Sequence, residues 1–178
     1  LSAPGGRELR AVLARPKLLG LLAYLSARPP GPFHRRDTLL ALLWPEASDD
    51  RARAALRQAL YHLRNELGEG VLVGRGDEEV GLDPANFWSD AAAFLAAAEE
   101  GKWEEALTLY RGDLLPGFFA SDAAGFEEWM EERRPALRTG AVRAAWLLAE
   151  RERGRGRLTV AIGWARRATA LAPEDEEG

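Results

Sequence analysis

The 178-residue chain contains no cysteine. That excludes disulfide staples, thiolate zinc sites, iron–sulfur clusters and cysteine nucleophiles together, and it fits a reducing compartment, so a cytoplasmic location is expected. Histidine is nearly absent: His34 and His62 lie far apart, with no partner at ligand spacing, and no histidine-built metal site is expected. No apolar run approaches the roughly 18 residues of a membrane helix, and no charged-then-apolar leader opens the chain, so no membrane association is expected. Catalytic signatures are missing as well. Gly74-x-Gly76 is a bare turn rather than a phosphate-cradling loop, and no Gly-x-Ser-x-Gly elbow occurs. Glu127-Glu128 and Glu131-Glu132 place carboxylates at i, i+4, but without a histidine such a face reads as solvated surface. No catalytic residue and no cofactor are expected, and an enzyme is the least favoured class. The sequence begins at Leu1 rather than Met, which reads as a fragment or a processed chain.

Hydrophobic residues make up 47% of the sequence and charged residues 29%, enough for a buried core in one domain or two small ones. The net charge of −4 hides an asymmetry. Residues 1–68 carry 11 Lys and Arg against 6 Asp and Glu, a balance of +5; residues 84–178 carry 12 against 17, or −5. The stretch 69–83 between them holds one Arg and 5 acids, or −4. A basic front half joined to an acidic rear half is the distribution of a nucleic-acid-binding domain with an attached second module.

Periodicity sets the elements. Leu9, Val12 and Leu13 read as a short strand. A helix starts at Pro16, carries Leu18, Leu19, Leu22 and Leu25 as its stripe, and ends at the prolines 29, 30 and 32. A second runs from Arg36 to about Leu43 and stops at Trp44-Pro45, with Trp44 expected in the core. The third, from about Ser48 to Leu67, is the clearest. Ser48, Asp49 and Asp50 supply the cap and first-turn acid, and Gly68 the stop. Its Leu56, Leu60, Leu63 and Leu67 share one face. Val71–Val73 and Val80–Leu82 around a glycine-containing loop read as a β-hairpin. From Ser89 onward the pattern is helical: one helix to Glu100, one around Trp103–Tyr110, one from Phe126 to about Arg138 with a kink at Pro135, one from Ala141 to Arg153, and one from Arg157 to Leu171. Gly140 is a weak break, so the third and fourth of these can be one bent helix. Gly101-x4-Ala106 and Gly156-x4-Ala161 hint at helical-hairpin repeats. Trp103, Trp129, Trp146 and Trp164 read as packing between helices.

Three helices followed by a hairpin is the order of a winged helix-turn-helix, whose third helix fits the major groove. At ~100° per residue the face opposite the leucines carries Arg51, Ala54, Gln58, Tyr61 and Asn65, flanked by Arg57 and His62. Arg57 and Gln58 suit base edges, Arg guanine and Gln adenine. Arg51, Arg53, Tyr61 and His62 suit phosphates or bases. Arg35 and Arg36 suit the backbone, helped by helix amides, and Arg75 at the hairpin tip suits a minor groove, against the opposing charge of Asp77, Glu78 and Glu79. The plainer reading of each is a solvated basic face, with Arg53 and Arg64 pairing only with Asp50 and Glu66.

Three stretches carry a resemblance: Arg15-Pro-Lys-Leu-Leu-Gly-Leu-Leu-Ala-Tyr-Leu25, Arg36-Asp-Thr-Leu-Leu-Ala-Leu-Leu-Trp-Pro45 and Arg51-x4-Leu56-Arg-Gln-Ala-Leu60-x2-Leu63-Arg64-x2-Leu67-Gly68. They resemble the DNA-binding domain of SARP-type bacterial transcriptional regulators. Asp90, the run Ala106-Leu-x-Leu-Tyr110-Arg-Gly-Asp-Leu-Leu-Pro116-Gly-Phe118 and Trp129-x3-Arg133 resemble the bacterial transcriptional activation domain that follows in that family. The resemblance implies an OmpR-like winged helix over residues 1–84 and a tetratricopeptide-like, all-α helical domain over 85–178, so mainly α with a small β wing. It implies sequence-specific binding to double-stranded promoter DNA through Arg51 to His62 and a wing over Gly70 to Asp83, contacts to RNA polymerase, and a possible homodimer on DNA. Two departures accompany it: few residues precede the first helix, which implies a truncated N-terminal sheet, and the helical region stops at Pro173, which implies a missing ATPase or sensor region. The competing class is a helical protein-interaction scaffold without autonomous DNA binding, favoured by the net acid of residues 69–178.

Overall fold

The structure is a computed structural model, and it describes residues 10–27 and 33–172. The described chain is mainly helical with a small three-stranded antiparallel sheet. Its elements are α1 (Arg10–Leu13), α2 (Pro16–Ala27), β1 (Phe33–Arg35), α3 (Arg36–Leu43), α4 (Asp49–Leu67), β2 (Leu72–Arg75), β3 (Glu79–Leu82), α5 (Asp90–Glu99), α6 (Trp103–Leu109), α7 (Ala124–Gly154) and α8 (Leu158–Leu171). No described helix is long and apolar enough to cross a membrane. The chain forms two compact units: the first comprises the described residues through Ser89 together with Gly117–Trp129, the second Asp90–Pro116 with the described residues from Met130. The units therefore interleave along the chain, where the sequence reading draws one boundary between residues 84 and 85.

In the first unit α2 is buried on every side, Leu21 and Leu22 as fully as Tyr24 and Ala27, because α1, α3, α4 and β3 all touch it. Such a helix is apolar all round rather than striped. Leu39 and Leu43 from α3, Leu56, Leu60, Leu63 and Leu67 from α4, and Val80 from β3 complete this core. Phe126, from the first turn of α7, enters it as well: its ring carbons lie 3.3 Å from where a Cβ on Gly20 would stand. Trp129 packs its ring on Tyr24 and Phe126 at 5.0 and 5.4 Å. The segment at Val12 is helical, not extended. Four residues are too few to reveal a period, and Val12 is fully buried. The sheet order is β1-β3-β2, with Phe33 opposite Gly81 and Leu72 opposite Leu82. The strand Phe33–Arg35 has no counterpart in the sequence reading.

In the second unit the core gathers Phe94 from α5, Leu107 and Tyr110 at the end of α6, and Leu137, Ala141, Ala145 and Leu148 along α7, with Ala168 from α8. The continuous α7 passes through both Pro135 and Gly140. Gly140 is explained by contact: the Phe94 ring lies 3.3 Å from where its Cβ would be. Trp103 and Trp164 lie against this core, as expected of packing residues, whereas Trp146 is 47% exposed on α7.

Candidate nucleic-acid interface

The candidate interface is built on α4. Ser48 enters the helix in extended geometry without a side-chain cap bond, and Asp49 and Asp50 supply the negative charge its first turn favours. Gly68, at φ 99°, ends it and donates its N–H to the Arg64 carbonyl. Between these ends the leucine spacing does what it predicts. Leu56, Leu60, Leu63 and Leu67 are buried, while Arg51, Ala54, Gln58 and Asn65 are exposed and Tyr61 is 60% exposed. His62 is half-buried, its ring 5.9 Å from that of Tyr61.

The arginines of α4 fall into two groups. Arg51 lies with Gln58 and Tyr61 on the outer face. Arg53, Arg57 and Arg64 recur at spacings of 4 and 7, so they share a separate stripe beside the leucines. That stripe forms one wall of a cleft of about 490 Å³ between α3, α4 and the hairpin turn, lined by Arg36, Arg53, Arg57, Arg64 and Asp77 over Leu56 and Leu60. Arg64, to which the sequence assigns only an ion pair, is thus a member of the cluster. Neighbouring acids answer only part of this charge. Arg53 stands 3.8 Å from Asp37. Arg35, at the end of β1, stands 4.0 Å from Asp37 and 3.9 Å from Glu78. Arg36 donates its backbone N–H to the Glu78 carbonyl at 2.8 Å, and its side-chain Nε is buried without a hydrogen-bond partner among the described residues.

Arg75 sits elsewhere than at a free tip. β2 runs through it, opposite Glu79, and the turn itself is Gly76, Asp77 and Glu78, with Gly76 at φ 60°. Its guanidinium pairs with Glu79 Oε2 and lies 5.0 Å from the centre of the Phe33 ring. The hydrogen bond to Glu79, with the attraction of its charge, raises the Arg75 pKa, and the Glu79 carboxyl is held low in return.

The structure therefore brings Arg36, Arg53 and Arg57 together, sets Arg51, Gln58, Tyr61 and His62 on or beside the outer face, and ties Arg35 and Arg75 to acids of the hairpin. Among the described residues no three histidine or carboxylate side chains converge as a metal ion requires.

The second unit has a cleft of its own, about 620 Å³, with Phe94, Leu109, Leu114 and Leu137 in its wall. The loop beside it is stapled. Arg138 pairs with Asp113, which also accepts a hydrogen bond from the Tyr110 hydroxyl at 3.3 Å, and Arg134 donates to the Leu114 and Leu115 carbonyls at 2.9 and 2.7 Å. Burial first, then the charge of Asp113, pushes the Tyr110 phenol up. Leu115 holds a left-handed conformation at φ 46°. Set against models of known protein families and against curated proteins, the chain matches none of them.

Proposed function

We propose that the chain is a sequence-specific DNA-binding transcriptional regulator acting in the cytoplasm without catalysis of its own. In this reading α2, α3 and α4 with the β2–β3 hairpin form a winged helix-turn-helix, and α4 enters the major groove of double-stranded promoter DNA. The second unit is a tetratricopeptide-like domain that contacts RNA polymerase or another protein partner, and two copies of the chain bind one DNA site. The observation that carries the reading is the split of α4: its four leucines are buried, while Arg51, Gln58 and Tyr61 stand exposed along the opposite face. A helix of about 10–12 Å across fills a major groove of about 12 Å, and Gln and Arg are the side chains that bond adenine and guanine edges.

Phosphate contacts supply most of the affinity in such a complex and make it fall with salt, while a few base contacts supply discrimination. Selection of duplexes from genomic fragments, followed by mobility-shift titrations at several salt concentrations, tests the reading. The expected result is an enriched sequence whose binding exceeds that of unrelated duplexes by at least about 10³-fold. A chain that enriches no sequence and retards no duplex is not such a regulator.

One observation favours a second reading, that of a protein-interaction scaffold. Leu158 and Ile162, four residues apart on one face of α8, are 60% and 53% exposed, which is the kind of surface a partner covers. In that case partners are retained by the chain in the complete absence of DNA binding.

A further inference from the structure

Four arginines line the cleft between α3, α4 and the hairpin turn, and like charges along one wall repel one another unless anions sit among them. The protein supplies little of that negative charge. Among the described residues Asp37 reaches one of the four, Arg53, at 3.8 Å, and it is shared with Arg35 outside the cleft at 4.0 Å. Asp77 lines the same cleft without coming within 4.0 Å of any of the four, among the ion pairs of the described residues. Among the described residues the Arg36 Nε finds no acceptor, so the protein leaves this guanidinium's charge largely unanswered. Phosphate oxygens, which guanidinium groups grip in paired hydrogen bonds, match the charge and the donor chemistry of this wall.

We propose that Arg36, Arg53, Arg57 and Arg64 form a basic seat for phosphate groups along the cleft, and that Asp77 acts as an acidic gate that lowers its occupancy. Arg64, in the last turn of α4, becomes a further binding residue. Arg57 holds phosphate rather than reading a base. The inference rests on the DNA-binding reading only for the source of the phosphate: the duplex backbone supplies it there, and a free phosphate compound is the other source.

The test uses the full chain with two probes. The first is a selected duplex beside an unrelated one, followed by anisotropy between 50 and 300 mM salt. The second is inorganic pyrophosphate, followed through the arginine Nε–H resonances. Arg64→Ala is expected to weaken both duplexes alike, by about tenfold, and to flatten the slope of log affinity against log salt by about 0.9. Asp77→Asn is expected to tighten both by about threefold, the scale of one relieved exposed like-charge contact. Arg64→Lys keeps the charge and controls for misfolding; it is expected to retain the slope and lose part of the affinity.

If the wild type binds DNA while Arg64→Ala and Arg57→Ala/Arg64→Ala keep its affinity and slope, the seat is overturned and the regulator reading stands. A loss confined to the selected duplex also overturns it, since a phosphate contact does not discriminate. If no duplex binds but pyrophosphate shifts the Arg57 and Arg64 resonances, the seat holds a free phosphate compound and the regulator reading falls. If neither probe binds, both fall.

Discussion

Gly101 and Gly156 end their helices in the same way. Each is left-handed, at φ 72° and 74°. Each donates its N–H to the carbonyl three residues back, Ala98 and Arg153, while the next residue donates to the carbonyl five back: Lys102 to Ala97 at 2.8 Å and Arg157 to Glu152 at 2.9 Å. This double closure is the Schellman motif. In both places the following helix starts so that the alanine five residues on, Ala106 or Ala161, is buried. An L side chain at either glycine is strained, by about 1–2 kcal/mol. Gly101→Ala and Gly156→Ala are each expected to lower the stability of the second unit by that amount, and together by the sum, since separate sites add. Urea unfolding followed by tryptophan fluorescence checks this, and an unchanged midpoint for either variant refutes it.

That repeat is legible in the sequence because the Gly-x4-Ala pattern encodes both the left-handed stop and the close approach after it. α4 is legible for the same kind of reason: leucines at spacings of 4, 3 and 4 between Ser48 and Gly68 leave little choice of face. β1 is not legible, since three residues show no alternation and their partner strand lies more than forty residues further on. The return of Gly117–Trp129 to the first unit is equally hidden, because Phe118 and Phe126 announce burial without saying in which core. The outer face of the candidate site follows from periodicity alone. The arginine cleft does not, since it exists only where α3 and the hairpin turn come up beside α4.

Phe126 should be a keystone of the first unit although it lies far from the rest of it in sequence. Its side chain is fully buried, with the Phe118 ring at 6.0 Å and Gly20 beneath it. Phe126→Ala is expected to cost about 3–5 kcal/mol, the usual range for an emptied aromatic site. Gly20→Val should cost about 1–3 kcal/mol, because overpacking against the ring outweighs any gain in the helix. Both losses should appear as reduced amide-exchange protection in α2. Protection lost only in the second unit would contradict the packing described.

Glu152 is a buried carboxylate at the α7–α8 joint, paired with Arg157 and standing 3.1 Å from Arg151 and 3.3 Å from Arg155. Burial works to raise its pKa, but hydrogen bonds from Arg151 and Arg157 outweigh it and hold the carboxyl below the usual glutamate range. A carboxyl held lower in the folded than in the unfolded chain contributes stability above its unfolded value, and that contribution disappears as pH falls through the folded one. Stability of the second unit should therefore drop from about pH 4.3 downward. Glu152→Gln should be less stable at pH 7 and lose less on acidification. Parallel pH profiles for wild type and variant would remove Glu152 from the account.

Gln58 and Arg57 are neighbours in sequence but face different surroundings, and that difference predicts different phenotypes on DNA. Gln58 is exposed on the outer face with Arg51 and Tyr61, whereas Arg57 lines the cleft with Arg36 and Arg64. A base contact discriminates, so Gln58→Ala should relax preference at one base pair by about 1–3 kcal/mol while leaving the salt slope almost unchanged. A phosphate contact does not, so Arg57→Ala should weaken every duplex alike and flatten the slope. Repeating the duplex selection with each variant separates the two. If Arg57→Ala shifts the selected sequence and Gln58→Ala does not, the assignment of base readers to the outer face is reversed, and α4 presents its arginine stripe to the groove floor.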